Sequence, residues 1–231
     1  LKELVSLKPK FIKIASMDLD NYELMDLAAK QKCPVIVSTG NSNINEIIKV
    51  GKIFKKRAKK NVLFMHCVSL YPPEIKEYNL LNIITLQKKL SFPVGYSDHS
   101  EGILAPILAA NMGVRFIEKH FTLNKKHKGP DHFFAADPND MRSVVENVNN
   151  LKTALGSFKR GINKRELLSK KRMRRSAYAM KDILKGEKFK REDFIMQRPG
   201  LGLTLVEVSK LIGRNLKKTI NKDDIIKKTS F

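Results

Sequence analysis

Apolar residues fall in short bursts rich in β-branched side chains, at residues 11–15, 35–38, 62–68, 94–96 and 116–120. Nearly every position in these bursts is apolar, the pattern of strands buried on both faces of a parallel sheet. Between them, residues 22–31, 44–56, 80–90 and 103–112 carry apolar side chains at helical spacing. Strand and helix alternate as in successive right-handed βαβ units. Helix entries carry capping residues: Asp18 and Asp20 before the first, Asn43 with Glu46 before the second.

The texture changes after a further helical pattern at 141–155. Residues 156–175 are polar and strongly basic, with Lys170-Lys171-Arg172 and Arg174-Arg175, and read as a solvated connector. From Ser176 onward short strands (176–180, 194–197) alternate with turns at Lys185-Gly186-Glu187 and Pro199-Gly200-Leu201-Gly202. The expected organisation is therefore an α/β unit at 1–156, a linker at 157–175 and a small domain at 176–231. So short a domain is expected to have little core of its own and to lean on a partner.

Five strand–helix units fit either half of an open sheet or part of a (β/α)8 barrel. Polar residues decide between them, because barrels put their chemistry at the C-terminal ends of strands. Ser16, Ser38-Thr39-Gly40, Ser69 with Tyr71, Ser97-Asp98-His99 and Glu118-Lys119-His120 all stand at such ends. The barrel is favoured.

Composition narrows the class further. With 42% hydrophobic residues spread along 231, the chain can bury a sizeable core. No apolar run approaches the roughly 18–20 residues that span a bilayer. The first apolar stretch is broken by Lys2, Lys8, Lys10 and Lys13, unlike a signal peptide. Cys33 and Cys67 build no disulfide framework, so a reducing cytoplasm is the expected compartment. The net charge of +22 raises nucleic acid as a partner, but the lysines are scattered, aromatics are 7% and Trp is absent. No specific nucleic-acid or membrane partner is expected; the charge should instead steer anionic substrates inward. The chain opens inside a helix-like pattern (Leu1, Leu4, Val5), as a piece of something longer would.

His99 and His120 leave strand ends in neighbouring units. Neutral imidazoles ligate first-row divalent ions well, and two of them leave positions open for water and substrate. The alternative is a pair of buried histidines satisfied by backbone groups. His66, inside a strand run, reads as structural, and His127, in a basic loop, as solvated. Lys13 ends a strand interior, where a charge is costly unless paired. A phosphate or carboxylate held by Lys13, Ser16 and the Ser38-Thr39-Gly40 turn would supply the pairing; otherwise the turn merely ends a strand. Glu118 shares a strand face with His120 and suits ordering a water or acting as general base, with a structural ion pair as the alternative. Asp131, in Gly129-Pro130-Asp131-His132, lies on a loop at the rim.

These motifs carry a resemblance. Ser38-Thr39-Gly40, His66-Cys67-Val68-Ser69 with Tyr71-Pro72, Gly95-Tyr96-Ser97-Asp98-His99, Glu118-Lys119-His120-Phe121-Thr122-Leu123, Gly129-Pro130-Asp131-His132 and Arg198-Pro199-Gly200 occur in the order found in sialic acid synthases. The chain resembles the N-acylneuraminate (nonulosonate) synthase family, joined to the SAF or antifreeze-like domain that family carries. The resemblance implies the last five strand–helix units of a (β/α)8 TIM barrel, followed by a β-clip domain. It implies condensation of phosphoenolpyruvate with an N-acetylmannosamine-type sugar and water, giving a nine-carbon 2-keto acid and phosphate. By the family pattern His99 and His120 would hold Mn²⁺, with Mg²⁺ or Co²⁺ as substitutes. Lys13, Tyr71 and Glu118 would be catalytic. Lys13, Ser16 and Ser38 would hold phosphoenolpyruvate; Ser69 and Ser97 would line the site; Asp131 would bind sugar hydroxyls. Arg198 would reach the N-acyl group in the partner subunit of a domain-exchanged homodimer.

The departures also carry information. The family's barrel begins with a glutamate, an Asn-His segment and a lysine–glutamine pair, none of which is in this chain. About three strand–helix units, on the order of 100 residues, are therefore expected to lie outside it. Ser69 stands where some members have asparagine. Phe133-Phe134-Ala135-Ala136 is nearer the spore-coat polysaccharide or legionaminic type, which leaves the acceptor sugar open. An inactive carbohydrate-binding fragment, or a spore-coat-type synthase with another acceptor, are the alternatives.

Overall fold

The computed structural model describes residues 1–231. The chain forms two units, Leu1–Gly156 and Ser157–Phe231. The first contains strands β1 (Ile12–Ile14), β2 (Val35–Ser38), β3 (Val62–Cys67), β4 (Val94–Asp98) and β5 (Ile117–Lys119). Its helices are α1 (Lys2–Ser6), α2 (Tyr22–Ala29), α3 (Ile44–Lys56), α4 (Leu81–Lys89), α5 (Leu104–Asn111) and α6 (Pro138–Leu155). All five strands are parallel, in the order β1-β2-β3-β4-β5. Strand order that follows chain order, without reversal, is that of a singly wound barrel wall.

The sheet is strongly curled. In a flat sheet β1 and β5 would lie roughly 19 Å apart, four intervals of about 4.8 Å. Yet Lys13 Nζ of β1 is 3.3 Å from Glu118 Oε1 of β5. At the opposite ends of these strands, Phe11 and Phe116 line one apolar cleft of about 420 Å³ with Val35 and Leu63. The five strands thus form part of a TIM barrel, as the strand-end residues predict.

Helices pack on the outer face through residues spaced one turn apart. Ile47, Val50 and Phe54 of α3 are buried against a core that includes Val37, Phe64, Ile83 and Ala109. Asn43 and Glu46 form the expected capping box: Asn43 Oδ1 accepts from Glu46 N–H at 3.2 Å and Glu46 Oε2 accepts from Asn43 N–H at 2.8 Å. The first cap is corrected. Asn21, rather than Asp18 or Asp20, accepts the Leu24 N–H at 3.0 Å, because a 3₁₀ turn at Ser16–Asp18 occupies the earlier residues. Helix α6 starts before the apolar pattern, at Pro138, where Asp137 caps it and proline suits the first turn. No helix is long and apolar enough to cross a membrane.

The second unit holds α7 (Lys164–Met173), α8 (Leu205–Ser209) and the antiparallel pair β6 (Ser176–Ala179) and β7 (Phe194–Gln197). Two expectations are corrected here. The basic stretch is not only a connector: Asn163 and Glu166 form a capping box over α7, which is rich in Lys, Arg and Leu, good helix formers. The small domain also has its own core, including Ala177, Ile183, Phe189, Phe194, Leu211 and Ile226. Several of these residues come singly from turns, so no periodic pattern announces them.

Candidate functional site

Parallel pairing of β4 with β5 sets Tyr96 beside Ile117, Ser97 beside Glu118 and Asp98 beside Lys119. Alternation along a strand then sorts these pairs onto opposite faces. On the inner face Ser97 Oγ donates to Glu118 Oε1 at 2.6 Å, and Lys13 Nζ stands 3.3 Å from the same oxygen. Lys13 Nζ also donates to Ser38 Oγ at 2.8 Å. The charge that sequence reasoning found costly is therefore paired by Glu118, and four strand ends meet in one hydrogen-bonded chain.

One step further along the strands, His99 and His120 face each other, with ring centroids 5.3 Å apart. Tyr71 stacks on His99 at 4.1 Å and presents its face or edge to His120 at 5.8 Å, with ring planes near perpendicular. Phe134, 1% exposed, packs against both His120 at 5.3 Å and Tyr71 at 6.2 Å. His99 Nδ1 is 2.8 Å from the Val68 carbonyl, which can only accept, so Nδ1 carries the proton and Nε2 keeps its lone pair. Burial holds the His99 imidazole below its ordinary pKa; burial, and then the proximity of His99, does the same for His120. Both rings are thus neutral near pH 7, the form that binds metals.

No group of three or more His, Cys, Asp or Glu side chains is arranged to hold a metal ion. The donor set is two neutral imidazoles, one with its tautomer fixed by a backbone carbonyl. It fits a first-row divalent ion whose remaining positions belong to water and substrate. Asp131 Oδ2 lies 4.0 Å from His120 Nδ1, too far for a hydrogen bond.

Ser16 Oγ accepts the Gly40 N–H at 2.9 Å and lies 3.7 Å from Cys67 Sγ. Gly40 is needed for this approach, since a β-carbon there would strike the hydroxyls of Ser69 and Ser16. Ser16, Ser38 and Ser69 are thereby gathered at the ends of β1 to β3. Arg198 belongs to the second unit, where it is exposed and donates from Nε to the Met173 carbonyl at 2.9 Å. His66 is buried, with Nε2 3.0 Å from Tyr78 O, and His127 is exposed.

A cleft of about 180 Å³ is lined by Ser97, Asp98, His99, Glu118, Lys119 and His120. A larger one, about 370 Å³, opens between the starts of α3 and α4 and is lined in part by Thr39, Cys67 and Ser69. It has no lysine or arginine in its lining, so the anion-holding chemistry belongs with Lys13. Sequence reasoning gave no role to Phe134 or Cys67, whose contacts join distant segments, and put Gly40 in the anion-site turn without its close approach to Ser16 and Ser69. It also missed Asp98 and Lys119, although each stands directly before a histidine.

Two variants probe this geometry. A β-carbon at Gly95 would lie 2.5 Å from Met65 Sδ and 2.8 Å from the Phe116 carbonyl, which introduces β5. Gly95→Ala is expected to destabilise the first unit by about 1–3 kcal/mol, read as a lower urea midpoint; an unchanged midpoint would contradict the packing. For His66, burial depresses the pKa, opposed in part by its bond to Tyr78. The unfolded chain therefore takes up this proton first as pH falls through about 6.5. The associated stability is complete above that pH and is lost below it, down to the depressed folded value. Urea midpoints at pH 7.5 and 5.5 should fall, and fall less in His66→Asn; equal pH dependence in both proteins would refute this.

Comparison with known proteins places the chain in a family. The NeuB family profile matches residues 1–160 and the SAF domain profile residues 174–231. The chain is 36% identical to an N,N'-diacetyllegionaminic acid synthase of Legionella pneumophila, over 94% of this chain and 62% of that protein. It is 38% identical to a pseudaminic acid synthase of Campylobacter jejuni, over 96% of this chain and 65% of that protein. The chain thus spans less than two thirds of the length of these relatives. Among solved structures, the N-acetylneuraminic acid (sialic acid) synthetase of Leptospira borgpetersenii, crystallised with citrate, is 36% identical with a TM-score of 0.66, covering 73% of this chain and 59% of that one. With one profile matching residues 1–160, another residues 174–231, and relatives above 30% identity along nearly all of it, the chain belongs to the NeuB family and carries a SAF domain.

Proposed function

We propose that this chain supplies the catalytic strand ends of a nonulosonate synthase, which condenses phosphoenolpyruvate with an N-acylated hexose such as N-acetylmannosamine. The observation that carries the reading is the placement of the His99–His120 pair two residues beyond Ser97 and Glu118 of the Lys13–Glu118–Ser97 chain. A cationic anion site and a pair of neutral nitrogen donors then stand side by side.

Lys13 Nζ, with the hydroxyls of Ser16 and Ser38, holds the phosphate and carboxylate of phosphoenolpyruvate. Tyr71 packs over the histidines and shields the reacting end from water, while Asp131 takes sugar hydroxyls at the rim. C3 of the enol forms the new bond to the aldehyde carbon of the open-chain sugar, leaving C2 cationic and an alkoxide that becomes a hydroxyl with the proton Glu118 next takes from water. Water adds to C2, giving up a proton to Glu118 Oε2, the carboxylate oxygen not engaged by Ser97 and Lys13. The C2–O bond to phosphate then breaks and the ketone forms as the C2 hydroxyl loses its proton to the leaving phosphate. His99 and His120 would hold Mn²⁺, or Mg²⁺ or Co²⁺ in its place, which when bound supplies Lewis-acid polarisation of the aldehyde oxygen. Arg198, from a second copy in a homodimer, takes the N-acyl group. Cytoplasmic location is part of the same reading.

The test is phosphate release from phosphoenolpyruvate and an N-acetylated hexose, with and without Mn²⁺. It is run on this chain and on the longest natural polypeptide that contains it. Sugar binding without turnover in both would sink the proposal and favour a carbohydrate-binding role.

A further inference from the structure

We infer that the buried Asp98–Lys119 ion pair is the positioning device that fixes the spacing of His99 and His120; the inference rests on the metal reading above. Asp98 Oδ2 and Lys119 Nζ are 2.6 Å apart, with side chains 0% and 3% exposed. They lie on the face of the strands opposite Ser97 and Glu118, and none of their hydrogen bonds goes to Lys13, Ser38 or an imidazole.

Their partners show what they hold. Lys119 Nζ also donates to the Ser100 carbonyl at 2.7 Å. Asp98 Oδ1 accepts the Ser100 N–H at 2.9 Å and the Tyr96 hydroxyl at 3.1 Å. The residues on both sides of His99 are therefore tied to the residue immediately before His120. In the β4–β5 ladder Ser97 pairs with Glu118 and Asp98 with Lys119, so the next step sets His99 toward His120. A slip of one residue would bring Asp98 against Glu118 or His120 and leave Lys119 buried without its counter-charge. The pair makes one register acceptable, and that register is the one that faces the two imidazoles.

Stability alone is a poor reason for such a pair. Burying two charges costs desolvation that their attraction only roughly offsets, and well-packed apolar replacements are often neutral or stabilising. What the pair adds is specificity of register. Supporting groups of this kind around metal ligands typically change metal affinity by about 10–100-fold.

The experiment compares Mn²⁺ binding by titration calorimetry in the full chain and in the double variant Asp98→Asn/Lys119→Met, which removes both charges at similar volume. The double variant is expected to keep a single cooperative thermal transition close to the parent's and to bind Mn²⁺ about 10–100-fold more weakly. In the metal-free proteins, imidazole ¹⁵N resonances of His99 and His120 should also shift, a change that apolar repacking elsewhere would not produce. A folded double variant with Mn²⁺ affinity within about twofold of the parent would overturn the inference while leaving the metal reading intact. A parent that binds no Mn²⁺ would remove both. Should the double variant fail to fold, Asp98→Asn/Lys119→Gln, which removes both charges but keeps a hydrogen-bonding group on each side chain, supports the same comparison with the same two outcomes.

Discussion

Replacing His120 by alanine is expected to lower manganese-dependent phosphate release by about three orders of magnitude, and His99→Ala to do the same. Lewis-acid stabilisation of developing charge contributes several kcal/mol, and each 1.36 kcal/mol is about a factor of ten in rate. Either substitution leaves a single imidazole where two face each other at 5.3 Å. The phosphoenolpyruvate cradle should survive, because Lys13 and Ser38 hydrogen-bond to each other independently of the histidines. The loss should therefore appear in kcat and in Mn²⁺ affinity, with the KM for phosphoenolpyruvate nearly unchanged. Undiminished release by both variants would end the metal assignment.

Glu118→Gln should cost a further large factor, about 10²–10⁴ in kcat, the usual contribution of a positioned general base. Glutamine keeps the shape and an oxygen to receive the Ser97 hydroxyl, but it cannot take a proton from water. It also removes the negative charge 3.3 Å from Lys13 Nζ, so anion binding should hold or tighten. A fall in kcat with KM unchanged or lower would support the base role. A rise in KM with kcat intact would assign Glu118 to the ion pair alone, the alternative the sequence left open. The pair is partly exposed, at 30% and 45% of the two side chains, so solvent screens it and little stability is expected from it.

Much of the architecture was legible before the coordinates. Strand β2 and helix α3 fall at residues 35–38 and 44–56, where pattern and caps agree. Strand β4 is instructive where they do not. Apolar spacing ends it at 96, yet the strand continues to Asp98, because Ser97 and Asp98 are buried polar residues satisfied by Glu118 and Lys119 across the ladder. A pattern that equates polar with exposed stops too soon at such a place. Strand β5 errs the other way: Phe116 and His120 flank the three-residue ladder Ile117–Lys119, since pairing with β4, not apolarity, sets its limits.

Parallel strands, intervening helices and reactive side chains at strand ends could all be read from residue order, because each depends on local periodicity and on the alternation of side chains. The sequence also pointed to His99 and His120 as a pair. Which residues complete the site emerges from the folded chain alone. The curl of the sheet brings Lys13 to Glu118, the glycine at position 40 lets two loops touch, and Asp98 closes on Lys119 behind the histidines. Those are contacts between segments far apart along the chain, fixed by how a barrel wall bends and by the cost of leaving buried charges unpaired, and neither is written into the spacing of neighbouring residues.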